Sequence, residues 1–283
     1  MKLTSATITD HKQIKTYLFL KQVTAVNSLN DTKTISVGVS YIFKHFYDVK
    51  HLSICKIDAN IFPIEIKLTT KDFDWRISYH GKRSSYPNKN SLISKYSKEL
   101  QYKISNGLDV QLPVIACYFI QKQWIEEHLK GLDTIKPDSV TLGYKNYNNA
   151  YYKAREFIRW FKTMTFAEYQ RKTTMNILKA VKVAIAKYLQ INFKDIYYDL
   201  VLDDIMVKLS ENLTPLRKIN VKYRNDLNLI LDLAYRCITL NPSLGVHGID
   251  QAIGIVFIAN QDVDMNRVSE IFPKLQFIVC KTW

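Results

Sequence analysis

Residues 224–262 read RNDLNLILDLAYRCITLNPSLGVHGIDQAIGIVFIANQD, and the elements predicted from this stretch decide the fold. Its pattern predicts an apolar helix over 227–240, a turn over 241–245 and a buried strand over 254–258. The strand carries four large apolar residues after Gly254 and is followed by polar residues. Such a run is typical of a central strand whose sheet is covered on both faces. We therefore expect an α/β protein built around residues 254–258.

The residues that follow this strand decide which chemistry the sheet can support. In nucleotide hydrolases a strand of this kind delivers carboxylates to a magnesium ion and an attacking water. Here the strand is followed by Ala259, Asn260, Gln261 and Asp262. The sequence thus predicts the scaffold of a phosphate-handling site without its usual chemistry.

The rest of the chain alternates between strand and helix patterns. Strands are predicted over 3–14, 17–26, 61–68, 73–79, 112–119, 196–202 and 205–209, and helices over 35–47, 91–106 and 149–189. We expect one continuous domain over residues 1–283. Its α/β core is predicted over 1–85 and 190–283, and a mostly helical insertion over 86–189 includes one core strand near 112–119.

Residues 27–34 lie between a predicted strand and a predicted helix, which is the context of a phosphate-binding P-loop. The segment has the length of that loop and ends in Lys33 and Thr34. However, Asn27 and Thr32 occupy its two glycine positions. Glycines let successive backbone N–H groups converge on phosphates, at φ values that are costly for other residues. The Lys-Thr pair alone is a weak signal.

Length and composition set further limits. A chain of 283 residues with 47% hydrophobic content can bury a substantial core. We expect a cytoplasmic protein without a membrane partner, because no apolar run reaches eighteen residues and the first residues lack a signal-peptide core. The four cysteines are far apart, which predicts reduced core residues and no metal site.

The net charge of +14 and the pI near 9.4 favour an acidic partner, with nucleic acid first. Enrichment in Lys, Asn, Ile and Tyr also suits a low-GC genome, so genomic bias remains an open alternative. The candidate nucleic-acid contacts are Lys153, Arg155, Arg159, Arg217, Lys218, Lys222 and Arg224. The first three have two- and four-residue spacing on a predicted helix.

Five segments carry a resemblance to a known family. They are 112–118 (LPVIACY), 143–146 (GYKN), 160–162 (WFK), 226–245 with the sequence DLAYR inside it, and 272–279 (FPKLQFIV). In these segments the chain resembles bacterial AAA/ABC-class ATP-binding proteins with a single ABC-type head domain. Such proteins are described as predicted ATP-binding proteins involved in virulence and are akin to phage-defence ATPases. The resemblance implies a P-loop NTPase-like head with an antiparallel β subdomain and a helical insertion.

The resemblance also implies where nucleotide would bind, between two head domains. Lys33 and Thr34 match the P-loop residues that reach the phosphates and magnesium, and Asp262 matches the family's D-loop aspartate. Ala259 and Asn260 replace the Asp-Glu of the acidic strand, and Thr282 lies where a switch His is expected. The signature loop, which faces the partner head, is replaced by residues 219–224 without its Ser and Gly.

These losses favour a pseudo-ATPase that acts as a binding or regulatory module, with no catalytic residue, no metal and no cofactor. Its expected settings are bacterial defence or processes that involve DNA. The expected partners are a homodimer or heterodimer with an ABC-type paralogue, and nucleic acid. One alternative is an atypical working ATPase that uses Lys33, Thr34 and Asp262 with ATP and magnesium. A second alternative is a basic nucleic-acid-binding protein.

Overall fold

The computed structural model describes residues 1–10, 13–45, 63–80, 83–85, 91–119, 140–145, 147, 154–190, 193–210, 212–219, 221–259 and 263–281. The strands in these ranges are β1 (Leu3–Asp10), β2 (Ile14–Leu18), β3 (Val23–Val26), β4 (Ile64–Thr70), β5 (Asp74–His80), β6 (Arg83–Ser85), β7 (Val114–Tyr118), β8 (Phe193–Asp199), β9 (Asp204–Leu209), β10 (Asn212–Pro215), β11 (Gly254–Ile258) and β12 (Leu275–Cys280). The α-helices are α1 (Leu29–Ser40), α2 (Leu92–Ser105), α3 (Ala154–Arg171), α4 (Asn176–Leu189), α5 (Val221–Leu240) and α6 (Met265–Ile271).

The predicted central strand lies in a four-stranded parallel sheet with the order β3-β12-β11-β7. Every residue of β11 is buried, which confirms the prediction for 254–258. The predicted strand at 112–119 is present as β7, whose Val114 lies opposite Gly254. A Cβ on residue 254 would collide with the backbone of Val114, so glycine is required there.

A five-stranded antiparallel sheet, with the order β2-β1-β4-β5-β6, forms a second layer. Helix α1 packs against β1 and β4 of this sheet and against β3 and β12 of the parallel sheet. Gly38 of α1 lies directly over the second sheet: a Cβ there would be 2.6 Å from Leu68 Cδ1. The Trp75 indole N–H also donates to the Gly38 carbonyl oxygen at 3.0 Å.

Two of the predicted N-terminal strands have wrong bounds. The predicted strand over 17–26 is in fact the end of β2 and the whole of β3, since Leu18 pairs with β1 of one sheet whereas Val23 pairs with β12 of the other. The predicted strand over 3–14 ends at Asp10, whose carboxylate accepts from the Gln13 N–H at 2.9 Å and closes a turn.

The remaining sheet has three antiparallel strands in the order β10-β9-β8. Helix α3 packs against β8 and β9, and helix α4 packs against α5. The predicted helical region 149–189 therefore contains two helices, separated near Lys172, which adopts a φ of 51°. Among the residues that the structure describes, no helix is both long and apolar enough to cross a bilayer.

The N-terminal and C-terminal parts of the described chain are joined in the core. The Gln276 side chain of β12 accepts from the Leu3 N–H and donates to the Leu3 carbonyl oxygen, both at 2.8 Å. Gln276 is buried, and these two bonds satisfy both ends of its amide. They connect the two layers at positions 273 residues apart in sequence.

Candidate functional site

The connection between β3 and α1 consists of Asn27 and Ser28 only, because α1 begins at Leu29. Ser28 is the N-cap: its hydroxyl oxygen accepts from the Asp31 N–H at 3.1 Å. The predicted eight-residue loop at 27–34 is therefore wrong, as is the helix start at Ile35. A Ser followed three residues later by an acidic residue is a helix-start signal, and no glycine is present to hold the segment out of the helix.

Asp31 puts a carboxylate in the first turn of α1, the end of a helix that attracts phosphates. Its carboxylate accepts from Lys15 Nζ at 2.9 Å and from Tyr17 Oη at 2.5 Å, both on β2. Burial, and then the hydrogen bond to Asp31, raise the pKa of Tyr17. A carboxylate in the first turn is stabilised by the helix dipole, and it repels a second anion from the same place.

The two P-loop remnants lie on the second turn of α1. Thr34 is 2% exposed, so its hydroxyl faces the core and is closed to a magnesium ion in solvent. Lys33 is half-buried. The third expected remnant, Asp262, lies outside the described residues.

The carboxyl ends of β3, β12, β11 and β7 meet at one edge of the parallel sheet, where open α/β sheets bind ligands. Ala259, the first residue after β11, is 1% exposed and donates its N–H to the Tyr118 carbonyl oxygen at 2.9 Å. Its methyl group cannot hold a metal or a water. Asn260 and Thr282 lie outside the described residues. Within the described ranges, no cluster of His, Cys, Asp and Glu side chains could hold a metal ion.

A buried polar network lies at this edge, and the sequence analysis did not predict it. Tyr118 Oη donates to the Asp232 carboxylate, which also accepts from Arg236 Nε at 2.7 Å. Arg236 Nη1 donates to the carbonyl oxygens of Gly143 at 2.8 Å and Lys145 at 3.1 Å. Burial, and then the Asp232 charge, raise the pKa of Tyr118. The signal that could have revealed it is the i,i+4 Asp–Arg pair within the apolar α5.

Because each charged group in this network has a protein partner, we interpret the network as structural. Its hydrogen bonds connect α5 to β7 and to the short 3₁₀ segment Val140–Tyr144. Asn241, just after α5, makes two hydrogen bonds to the segment that precedes β7. Its side chain accepts from the Leu112 N–H at 2.7 Å and donates to the Leu112 carbonyl oxygen at 3.0 Å. Both bonds are buried.

The predicted nucleic-acid contacts are partly described. Lys153 lies outside the described residues, and Arg155, Lys222 and Arg224 lie in α3 or α5 without described side chains. Arg159 is half-buried on α3, Lys218 is exposed, and Arg217 Nε lies 2.7 Å from the buried Asp204 carboxylate.

These two predicted clusters approach the same sheet. Helix α3 and the 3₁₀ segment Leu216–Lys218 both pack against β9. The Arg217–Asp204 pair is an ion pair without hydrogen-bond alignment. Burial raises the pKa of Asp204 in spite of Arg217. Much of the Arg217 charge is therefore committed to Asp204, which weakens its case as a phosphate contact.

Known proteins show little sequence similarity to this chain. No protein-family model matches the chain, and no curated protein matches it. A solved structure of the recombination mediator protein RecF with ATP, in the RecFOR pathway, is 13% identical, and the match covers 100% of this chain and 93% of that chain with a TM-score of 0.39. The fold itself is mixed α/β.

Proposed function

We propose that this chain is a pseudo-ATPase: an ABC-type head that binds or regulates a partner and does not hydrolyse ATP. The observation that carries the proposal is the two-residue connection between β3 and α1, with Asp31 in the first turn of α1. A P-loop wraps phosphates with a run of free backbone N–H groups. Here the Asp31 N–H is bonded to Ser28 instead, and a carboxylate stands beside it.

The second support is the end of β11. Phosphoryl transfer depends on positioning and on electrostatic stabilisation, mostly supplied by a metal ion and the groups that hold it. A buried alanine follows β11 where the resemblance implies a metal-holding aspartate. The parallel sheet, the helix that leaves β3 and the antiparallel layer fit the head that the resemblance implies. A dimer with a copy or an ABC-type paralogue, and a role in bacterial defence, belong to the same proposal.

The test is a titration of the purified protein with Mg-ATP by calorimetry, together with a hydrolysis assay. We expect no turnover and no binding tighter than millimolar, because Lys33 offers one charge-assisted contact of about 1.5–3 kcal/mol and millimolar affinity requires about 4 kcal/mol. Lys33→Ala should behave like the unmodified protein and like the control Lys71→Ala. Ala259→Asp with Asn260→Glu should remain inactive.

Magnesium-dependent turnover that Lys33→Ala abolishes and Lys71→Ala preserves would favour the atypical ATPase instead. In that case Lys33, Thr34 and Asp262 would serve ATP and magnesium in spite of the short connection. Micromolar ATP binding without turnover would contradict the expected weak affinity and would make the module a nucleotide-binding pseudo-ATPase.

A second candidate function is nucleic-acid binding, and the observation that favours it is a concentration of charge. The hairpin of α3 and α4, residues 154–190, carries eight Lys and Arg against two Glu, which is a net charge of +6. Arg171, Lys172, Lys179 and Lys187 are exposed on it. Clustered exposed cations of this kind attract phosphate backbones without reading sequence.

A further inference from the structure

Strand β2 is an edge of the antiparallel sheet: it pairs with β1 on one side, and no strand in the described part of the chain pairs with its other side. Its outer face is apolar at both ends. Ile14 is 71% exposed and Leu18 is 60% exposed, with the exposed Thr16 between them. Long apolar side chains on an unpaired edge are a site for pairing with another strand.

The hydrogen-bond pattern shows which backbone groups are unused. The Phe19 N–H donates to the Thr4 carbonyl oxygen at 2.9 Å, so this opposed pair is a hydrogen-bonded one. Hydrogen-bonded and non-bonded pairs alternate along an antiparallel ladder. In the β1–β2 register, Ile14, Thr16 and Leu18 therefore occupy the non-bonded positions. Their N–H and C=O groups point away from β1, toward the open edge.

The opposite face of β2 is fixed. Lys15 and Tyr17 both donate to Asp31 of α1, so the strand is held against the helix that it covers. This attachment orients the outer residues, and β2 pairs with β1 over all five residues without a register shift. The edge is therefore pre-organised, which lowers the entropic cost of adding a strand.

The other edges of the two antiparallel sheets carry devices that discourage pairing. Strand β6 has three residues and begins with Arg83, and β10 has four residues and ends with Pro215. Strand β8 has a register shift between Phe193 and Asp195. Short strands, proline, charge and bulges all block edge-to-edge association. Among these edges, β2 alone combines length, regular pairing and outward apolar side chains.

We propose that β2 pairs with β2 of a second copy of this chain, antiparallel and with the two-fold axis at Thr16. In this register each Ile14 lies opposite Leu18 of the second copy, so both apolar residues are covered. Because Ile14, Thr16 and Leu18 all present outward N–H and C=O groups, every pair exchanges two hydrogen bonds. The sequence Ile-Lys-Thr-Tyr-Leu is thus self-complementary in shape and in hydrogen bonding.

The interface is small and the dimer is weak. Five residues per strand bury far less than the roughly 1,600 Å² of a standard interface. The net charge of +14 on each copy also opposes association until salt screens it. The inference is independent of the pseudo-ATPase proposal, and this edge differs from the 219–224 face that the resemblance implies for a partner head.

Sedimentation equilibrium at about 0.3 M salt, from about 10 µM to about 1 mM protein, tests the proposal. The unmodified protein should shift from monomer toward dimer over this range. Ile14→Lys with Leu18→Lys, and separately Ile14→Glu with Leu18→Glu, should each remain monomeric, because like charges face each other across the axis. An equimolar mixture of the two variants should form a heterodimer.

Two single variants check the register and the location. Thr16→Pro removes one outward N–H and no backbone bond to β1; it also removes the hydroxyl contact with Thr7, which Thr16→Val removes alone as a control. Thr16→Pro should lower the association constant at least tenfold relative to Thr16→Val. Val201→Lys, at a site that is 93% exposed in the β8–β9 turn, should leave association unchanged. A protein that remains monomeric to about 1 mM overturns the proposal, and any partner of the β2 edge would then be a different protein. Dimers that persist in the lysine variant also overturn it.

Discussion

Asp226 illustrates how one buried residue makes stability depend on pH. Its carboxylate accepts from Tyr188 Oη and from the Asp264 N–H, both at 3.3 Å. Burial raises its pKa above the usual 3.8. The folded protein therefore binds this proton more tightly than the unfolded chain does. The Asp226 contribution to stability is present at low pH and is lost as pH rises from 3.8 through the folded pKa.

We expect Asp226→Asn to remove this dependence, because an amide oxygen can accept both hydrogen bonds without carrying a charge. The free energy of unfolding of the variant, relative to the unmodified protein, should rise as pH rises across that window and then stay level. Urea unfolding at several pH values measures the difference. The exposed Asp109→Asn is the control for a generic loss of charge. A difference that falls with increasing pH would contradict the expectation.

At the scale of elements, the contact between α1 and β4 depends on Gly38. In a helix interior, alanine is more stable than glycine by about 1 kcal/mol. However, a Cβ at position 38 would be 2.6 Å from Leu68 Cδ1 and 3.2 Å from Ile66 Cγ2. We expect Gly38→Ala to destabilise the protein by about 1–3 kcal/mol, as overpacked cores do, in thermal or urea unfolding.

A double-mutant cycle separates overpacking from other effects of Gly38→Ala. Leu68→Ala removes the atom that would clash, so the double variant should be more stable than the sum of the single effects predicts. Gly38→Ala with Leu178→Ala, a buried leucine of α4, should be additive. Equal coupling in both pairs would rule out a local clash as the cause.

The elements that the sequence predicts well are those whose pattern is set by burial alone. β11 and β7 are continuous apolar runs, and α5 contains the predicted helix 227–240. Periodicity could not divide the apolar run over 17–26 into two strands. The two halves pair in different sheets, and that difference is set by tertiary structure. The start of α1 could have been predicted from Ser28 and Asp31, whose capping chemistry outweighs the likeness to a P-loop.

The candidate site was predictable in part. The sequence predicts that Ala259 follows a buried strand, and in the structure this residue is buried at the carboxyl edge of the sheet. The partners of Asp31 and Asp232 on other elements were not predictable. Lys15, Tyr17 and Tyr118 reach those residues through strand pairing and helix packing, which no local pattern encodes.

For the whole molecule, the net charge of +14 yields a prediction about polyanions. If the α3–α4 hairpin binds nucleic acid, log affinity for duplex DNA should fall linearly with log salt, by about 0.9 per phosphate contacted. Lys179→Glu with Lys187→Glu should lower both the affinity and the slope, with little dependence on DNA sequence. Fluorescence anisotropy at several salt concentrations measures both quantities.

The control for this prediction makes the same change of charge on α2. Lys95→Glu with Lys98→Glu alters two exposed residues far from the hairpin in sequence. It should lower affinity less than the α4 variant does and leave the salt slope nearly unchanged. Equal losses in both variants would mean that net charge alone, and no particular surface, governs binding. No binding at low salt would attribute the charge to genomic composition.

The position of β12 has a consequence for biosynthesis. It lies between β3 and β11 in the parallel sheet, and its Gln276 bonds to Leu3 across 273 positions of sequence. The ribosome therefore releases β3, β7 and β11 before the strand that joins β3 to the other two exists. Until then the nascent chain exposes unpaired strands, the state in which large proteins aggregate and recruit chaperones. The joining of β3 to the rest of the sheet is therefore a late step, and contacts so distant in sequence form slowly.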